Sequence, residues 1–209
     1  MRGLFITLEG PEGSGKSTQA RELAIYLEKK ELRTIISQEP GGTKIGRKLR
    51  KLLLSPESKE MGTLTELFLY LSVRAQHVEE VIKPALSEGK IVICDRFLDA
   101  TVAYQGYGRG LDIGLVNELN HLVTRGLKPD LTILLDIEVP QGMRRARGDK
   151  KGDRIEQEKT AFHQRVRAGY LRLAAEEPER IKKIKVKGSI DETQIIIKAY
   201  VDEVLRKQD

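Results

Sequence analysis

Tryptophan is absent from the 209-residue chain, cysteine occurs once and histidine three times. The lone cysteine, Cys94, excludes an internal disulfide framework and fits a reducing compartment, so a cytoplasmic location is expected. It lies within an apolar run and reads as a small buried hydrophobe. Aromatic residues make up only 5% of the chain, too few to supply the stacking platforms of a single-strand nucleic-acid binder. Nowhere do eighteen apolar residues run together, so no membrane-spanning helix is expected. The apolar stretch after Met1-Arg2-Gly3 is only about five residues long, which suits a first strand and is too short for a signal-peptide core. The net charge of +6 comes from 37 basic residues dispersed among 31 acidic ones. A small polyanionic ligand accounts for so modest an excess, and no stable nucleic-acid partner is expected.

What the chain does have is alternation. Short apolar runs at Leu4 to Leu8, Thr34 to Ser37, Ile91 to Cys94, Leu131 to Leu135 and Ile184 to Val186 read as strands. Between them the period becomes helical. Stripes of this kind are Ala20, Leu23, Ala24 and Leu27; Ile45, Leu49, Leu52 and Leu53; Val78, Val81, Ile82 and Ala85; and Leu115, Val116, Leu119, Leu122 and Val123. A last helix is expected over Glu192 to Lys207, with Ile195, Ile196, Val201 and Val204 available for burial. Continuous apolar strands separated by helices imply a parallel sheet covered on both faces, in one domain over residues 1–209. Ligands of such folds sit at the carboxyl ends of the strands.

The first strand runs into Gly10-Pro11-Glu12-Gly13-Ser14-Gly15-Lys16-Ser17-Thr18, a full match to the G-x-x-x-x-G-K-[ST] phosphate cradle. Its glycines let backbone N–H groups turn inward onto phosphate oxygens, and the helix that follows adds the positive end of its dipole. Lys16 is expected at the β- and γ-phosphates of ATP, and the Ser17 hydroxyl on Mg²⁺. The fold class is therefore α/β: a P-loop NTPase three-layer α/β/α sandwich, with a mostly five-stranded parallel sheet and a mobile lid. No Asn-Lys-x-Asp run is present to read guanine, and the one D-x-x-G match, Asp149 to Gly152, lies in a charged loop. Asp95 and Arg96 end the third strand, where a carboxylate can act on Mg²⁺, usually through its waters, and a guanidinium can fork onto phosphate. Arg144, Arg145, Arg147, Lys150, Lys151 and Arg154 fall on a segment with little apolar anchoring, a candidate lid over about 144–156.

Several further segments occur in a specific order and spacing: Glu39-Pro40-Gly41-Gly42-Thr43, Tyr70 to Arg74, Asp95-Arg96-Phe97, Ala103-Tyr104-Gln105-Gly106 and Asp153-Arg154-Ile155-Glu156-Gln157-Glu158. With the cradle and its Glu12, they make the chain resemble the thymidylate kinase family over nearly its whole length. The resemblance implies phosphorylation of dTMP by ATP, with Mg²⁺ as cofactor. Glu12 would then accept from the 3′-hydroxyl of the acceptor sugar and Arg96 would hold its phosphate, while Asp95 organises Mg²⁺. Tyr70 would stack on thymine, Arg74 would meet a base carbonyl, and Thr101 and Gln105 would line the base edge. Tyr104 would crowd the 2′ position and so select deoxyribose. Glu39, Pro40 and Arg50 complete the expected acceptor site. With Gly13 after Glu12 and Arg147 and Arg154 in the lid, the chain is similar to the lid-arginine type, and Arg147 is expected near the adenine or the phosphates. Gln38 stands where many relatives carry an arginine. A related kinase for another acceptor, and an ATP-driven nucleic-acid or partition protein, are the competing readings. The apolar surplus over Leu64 to Leu86 suggests a partner helix, and the family commonly forms homodimers.

Overall fold

A computed structural model describes residues 3–148 and 152–207 of the chain. Met1, Arg2, Asp149, Lys150, Lys151, Gln208 and Asp209, together with the Arg147 side chain, lie outside the described residues. Strands β1 (Leu4–Glu9), β2 (Thr34–Gln38), β3 (Ile91–Asp95), β4 (Leu131–Asp136) and β5 (Ile181–Lys185) form one sheet in the order β2-β3-β1-β4-β5. Every pairing is parallel. β1 lies at the centre because all six of its residues are buried. Its alternate side chains serve opposite faces. Leu4, Ile6 and Leu8 meet α1 (Lys16–Glu28) and α9 (Ile190–Arg206), whereas Phe5 packs with Val92, Cys94 and Phe97 on the other face. Cys94 is buried, as its apolar surroundings imply.

The second face carries α2 (Lys44–Leu54), α3 (Thr63–His77), α4 (Lys83–Ser87), α5 (Leu98–Thr101), α6 (Ile113–Thr124), α7 (Val139–Arg147) and α8 (Thr160–Glu176). Wide π-type turns join α3 to α4 at Val78–Ile82 and continue α5 through Val102–Gly108. Among the described residues no helix is long and apolar enough to cross a membrane.

Two sequence expectations change. β5 begins at Ile181, three residues before the expected Ile184, because Ile181 and Ile184 both reach the core while the lysines between them stay out. In α9 the buried row is Thr193, Gln194, Ile197, Val201 and Leu205, and Ile195 and Ile196 are exposed. Three consecutive isoleucines cannot share one helix face, and Gln194 fixes which face it is by donating to Gln19 O at 2.7 Å. In α2 only Leu53 of the expected stripe is buried, and in α6 only Val116. The remaining apolar residues of these stripes stand partly or wholly in the open, because α2 and α6 flank α3 and lie away from the sheet.

Candidate active site

The cradle closes the carboxyl end of β1, and Asp95 and Arg96 close that of the neighbouring β3. Lys16 is buried and donates to Gly10 O at 2.9 Å, Pro11 O at 2.8 Å and Ser14 Oγ at 3.2 Å, so its ammonium is folded over the loop. Burial, and then the nearby Arg96, push this ammonium down to about 8, against the attraction of Asp95, Glu12 and Glu9. Ser17 Oγ donates to Asp95 Oδ2, while Asp95 Oδ1 is buried without a hydrogen-bond partner. Thr18 lies in the first turn of α1. Among the described residues no group of three His, Cys, Asp or Glu side chains converges as a metal cage.

Gly13 faces α7 at very short range. A Cβ at Gly13 would lie 2.0 Å from Gly142 O, and one at Gly142 would lie 2.4 Å from Glu12 O. No side chain, basic or otherwise, fits at position 13, because the helix leading into residues 144–156 occupies that space.

Arg96 adopts a left-handed backbone conformation with φ of 68°, which strains a residue with a Cβ. The turn is held on both sides: Arg96 N donates to Leu8 O at 3.0 Å, and Phe97 N donates to Glu9 Oε1 at 2.7 Å. Glu9 also accepts from Tyr170 Oη at 2.7 Å. Burial and the charge of Asp99 raise the Glu9 carboxyl well above the ordinary carboxylate range, despite those bonds and Arg96. The turn aims the Arg96 guanidinium at Glu12 Oε1, 3.4 Å away, and at Tyr104 Oη, 3.5 Å away. Tyr104 donates to the same Glu12 oxygen. Burial pushes the Glu12 carboxyl up, but His163, Arg96, Lys16 and Tyr104 together outweigh it and hold the carboxyl at about 2. His163 Nδ1 lies 3.4 Å from Glu12 Oε2.

Beside the cradle, a pocket is lined by Glu12, Glu39, Pro40, Arg50, Tyr70, Arg74, Arg96, Thr101, Tyr104 and Gln105, with Leu54, Ala100, Asp153, Ile155 and Glu156 completing its wall. Every residue expected in the acceptor site is therefore brought to one cavity. Arg74 is almost wholly buried. Its Nε donates to Glu39 Oε2 at 2.8 Å, its Nη1 to Thr101 Oγ1 at 2.7 Å and Asn120 Oδ1 at 2.6 Å, and its Nη2 to Phe97 O at 2.9 Å, while Nη2 also pairs with Glu39 Oε2 at 2.8 Å. Arg50 donates to Pro40 O at 2.7 Å. Gln38 is exposed at the end of β2 and is not part of the lining. Arg154 lies away from the cradle. Its backbone N donates to Leu54 O, its Nε to Leu53 O at 2.7 Å and its Nη1 to Glu66 Oε2 at 2.6 Å.

Several partners in this assembly were not expected from the sequence. His77 bonds Glu39 Oε1 through Nδ1 at 2.9 Å and Ser37 Oγ through Nε2 at 2.6 Å, which orients the carboxylate that grips Arg74. Glu9, Glu66, Asn120 and Tyr170 are likewise buried beneath the pocket. For Glu66 a signal was present: it precedes Tyr70 by four residues and Arg74 by eight, which puts all three on one helical face.

The thymidylate kinase family model matches residues 8–197. A thymidylate kinase from Halothermothrix orenii is 56% identical over 177 residues, covering 83% of this chain and 85% of that protein. One from Nostoc punctiforme is 48% identical, covering 99% of this chain and 97% of the relative. The crystal structure of thymidylate kinase from Ehrlichia chaffeensis superposes with a TM-score of 0.79 at 34% identity, covering 97% of this chain and 99% of that one.

Proposed function

The chain belongs to the thymidylate kinase family, and from that premise we propose that it transfers the γ-phosphoryl group of ATP to dTMP, yielding dTDP for dTTP synthesis. One observation carries the reading. Glu12 belongs to the phosphate cradle and also lines the neighbouring pocket, so a triphosphate in the first and a nucleotide in the second would share a wall. That places donor and acceptor side by side for direct in-line transfer.

In this reading the backbone of Gly10, Pro11, Glu12, Gly13, Ser14 and Gly15 cradles the ATP phosphates, with Lys16, Ser17 and Thr18. Ser17 and Asp95 suit Mg²⁺, since a hydroxyl and a buried carboxylate oxygen that accepts no hydrogen bond are hard donors. Bound there, Mg²⁺ neutralises phosphate charge. Arg96 holds the acceptor phosphate, and Glu12 takes the 3′-hydroxyl. Tyr70 stacks on the base, and Tyr104 leaves no room for a 2′-hydroxyl. Arg74 meets a base carbonyl from a guanidinium already anchored by Glu39, Thr101, Asn120 and Phe97. Arg154 serves the transferring phosphoryl group once it has left Glu66, and Arg147 joins it from the lid over about 144–156. The acceptor phosphate has a second pKa near 6 and is largely ionised at neutral pH, so no general base is needed. We further assign the enzyme to the cytoplasm and to a homodimer.

ADP release measured with dTMP, dUMP, dCMP, UMP or thymidine as acceptor tests the proposal. Turnover that depends strongly on dTMP is expected. Turnover stimulated only by DNA would overturn it.

A further inference from the structure

Beneath the pocket, Glu66 of α3 is almost completely buried and accepts four hydrogen bonds from three side chains. Its Oε1 accepts from Gln105 Nε2 at 2.8 Å and from Arg109 Nε at 3.1 Å. Its Oε2 accepts from Arg109 Nη2 at 3.0 Å and Arg154 Nη1 at 2.6 Å. Burial pushes the Glu66 carboxyl up, but Arg109, Gln105 and Arg154 outweigh it and hold the group below the ordinary carboxylate range. An ionised carboxylate accepts hydrogen bonds and cannot donate. The side-chain amide of Gln105 must therefore turn its NH₂ group to Glu66. Its carbonyl Oε1 has no hydrogen-bond partner among the described residues, and Gln105 lines the pocket.

We propose that Glu66 is the positioning residue that sets which base the pocket accepts. By locking the Gln105 amide, it presents a carbonyl acceptor to the ligand. That acceptor suits the N3–H donor of a thymine or uracil ring. Cytosine offers an acceptor at N3, so two acceptors would face each other in a buried site. Mispairing of this kind discriminates far more strongly than a missing methylene. Arg109 makes the device robust. It contacts both oxygens of Glu66 and also bonds Glu158, so Glu66 keeps a cationic partner, and Gln105 its orientation, when Arg154 moves to the phosphates. The device does not read the 5-methyl group.

The inference rests on the proposed kinase reading, and one set of measurements separates the two. kcat/KM is measured for dTMP, dUMP and dCMP with the wild-type chain and with Glu66→Gln. An amide at position 66 donates as well as accepts, which frees Gln105 to turn its NH₂ toward cytosine N3. The dTMP-to-dCMP ratio is expected to fall at least about tenfold, through a gain with dCMP, while the dTMP-to-dUMP ratio holds. A variant that loses turnover equally with all three acceptors, at an unchanged ratio, would show Glu66 to be structural only and overturn the inference. Should Glu66→Gln fail to fold, Glu66→Gln combined with Arg109→Gln removes the opposing charge and carries the same comparison. A wild-type chain that phosphorylates none of the three refutes the kinase reading itself, and the inference with it.

Discussion

Inside the cradle, Lys16 shows what burial does to a cation. Its ammonium titrates at about 8 in the protein without nucleotide, and only the charged form attracts a triphosphate. Below that pH the charge is already present, and above it binding must draw a proton from solution. ATP affinity is therefore expected to decline as pH rises through about 8, with net proton uptake on binding. Titration calorimetry at pH 8.5 in two buffers of different ionisation enthalpy measures this, and equal heats would count against it. Lys16→Ala is expected to lower turnover roughly a hundred- to thousandfold with an unchanged circular dichroism spectrum. At Glu9 the shift has the opposite direction. Its folded-state carboxyl titrates above the ordinary range, mainly through burial and Asp99, so it favours the fold while protonated. That stability is lost as pH rises from the ordinary carboxylate range through the raised value. Glu9→Gln stays neutral, can still accept from Phe97 N and can donate to Tyr170. Its stability relative to wild type should climb between about pH 5 and pH 8 in denaturant titrations and level off above. A flat difference would mean that the carboxyl is ionised throughout.

Helix α7 is placed by a close approach to the cradle. Gly142 brings it against the cradle backbone, and an added methyl there would meet Glu12 O at 2.4 Å. Gly142→Ala should therefore shift α7 outward, with a loss of stability on the order of 1–3 kcal/mol. Because α7 leads into residues 144–156, kcat should fall more than affinity for dTMP. Urea unfolding together with steady-state kinetics checks both, and unchanged kcat would separate α7 from catalysis. Helix α3 makes a different point. The four-residue spacing of Tyr70 and Arg74 was legible as one face, and the structure places both at the pocket. The same spacing put Glu66 on that face, but that Glu66 and His77 are buried partners was not legible, because a carboxylate and an imidazole on a helix are usually solvated. Only burial by the Val102–Gly108 turn on one side and β2 on the other turns them into partners of Gln105 and Glu39.

Across the whole molecule, apolar side chains that serve no core of their own chain collect on α2, α3 and α6. Ile45, Leu52, Leu64, Phe68, Leu115 and Leu122 are all exposed, Phe68 by 53% and Leu122 by 69%. Because α3 packs against both α2 and α6, these side chains belong to one three-helix layer, which suits a second copy of the chain. The wild-type protein is expected to sediment as a dimer and Phe68→Glu as a monomer. A Phe68→Glu variant that remains dimeric would move the interface elsewhere, and a monomeric wild type would remove it. The same patch shows what periodicity left open in α2 and α6: an apolar stripe marks a face to be covered and does not say by what.

Local chemistry explains what could be determined without coordinates. The cradle is a run of consecutive residues, from Gly10 to Ser17, and the strand and helix around it follow from patterning within a few turns. Those features determined the fold class, and with the later segments they pointed to the family. The pairs that tune the site are distant in sequence: Gln105 and Glu66 are 39 positions apart, Ser37 and His77 are 40, and Tyr170 and Glu9 are 161. Such pairs form only when the strand order β2-β3-β1-β4-β5 carries their elements together. Whether a charged side chain there is solvated or paired depends on the burial that results. Tertiary structure alone decided that Arg74 is held by Glu39, Thr101, Asn120 and Phe97, that Arg154 rests on Glu66, and that the Gln105 amide donates to Glu66.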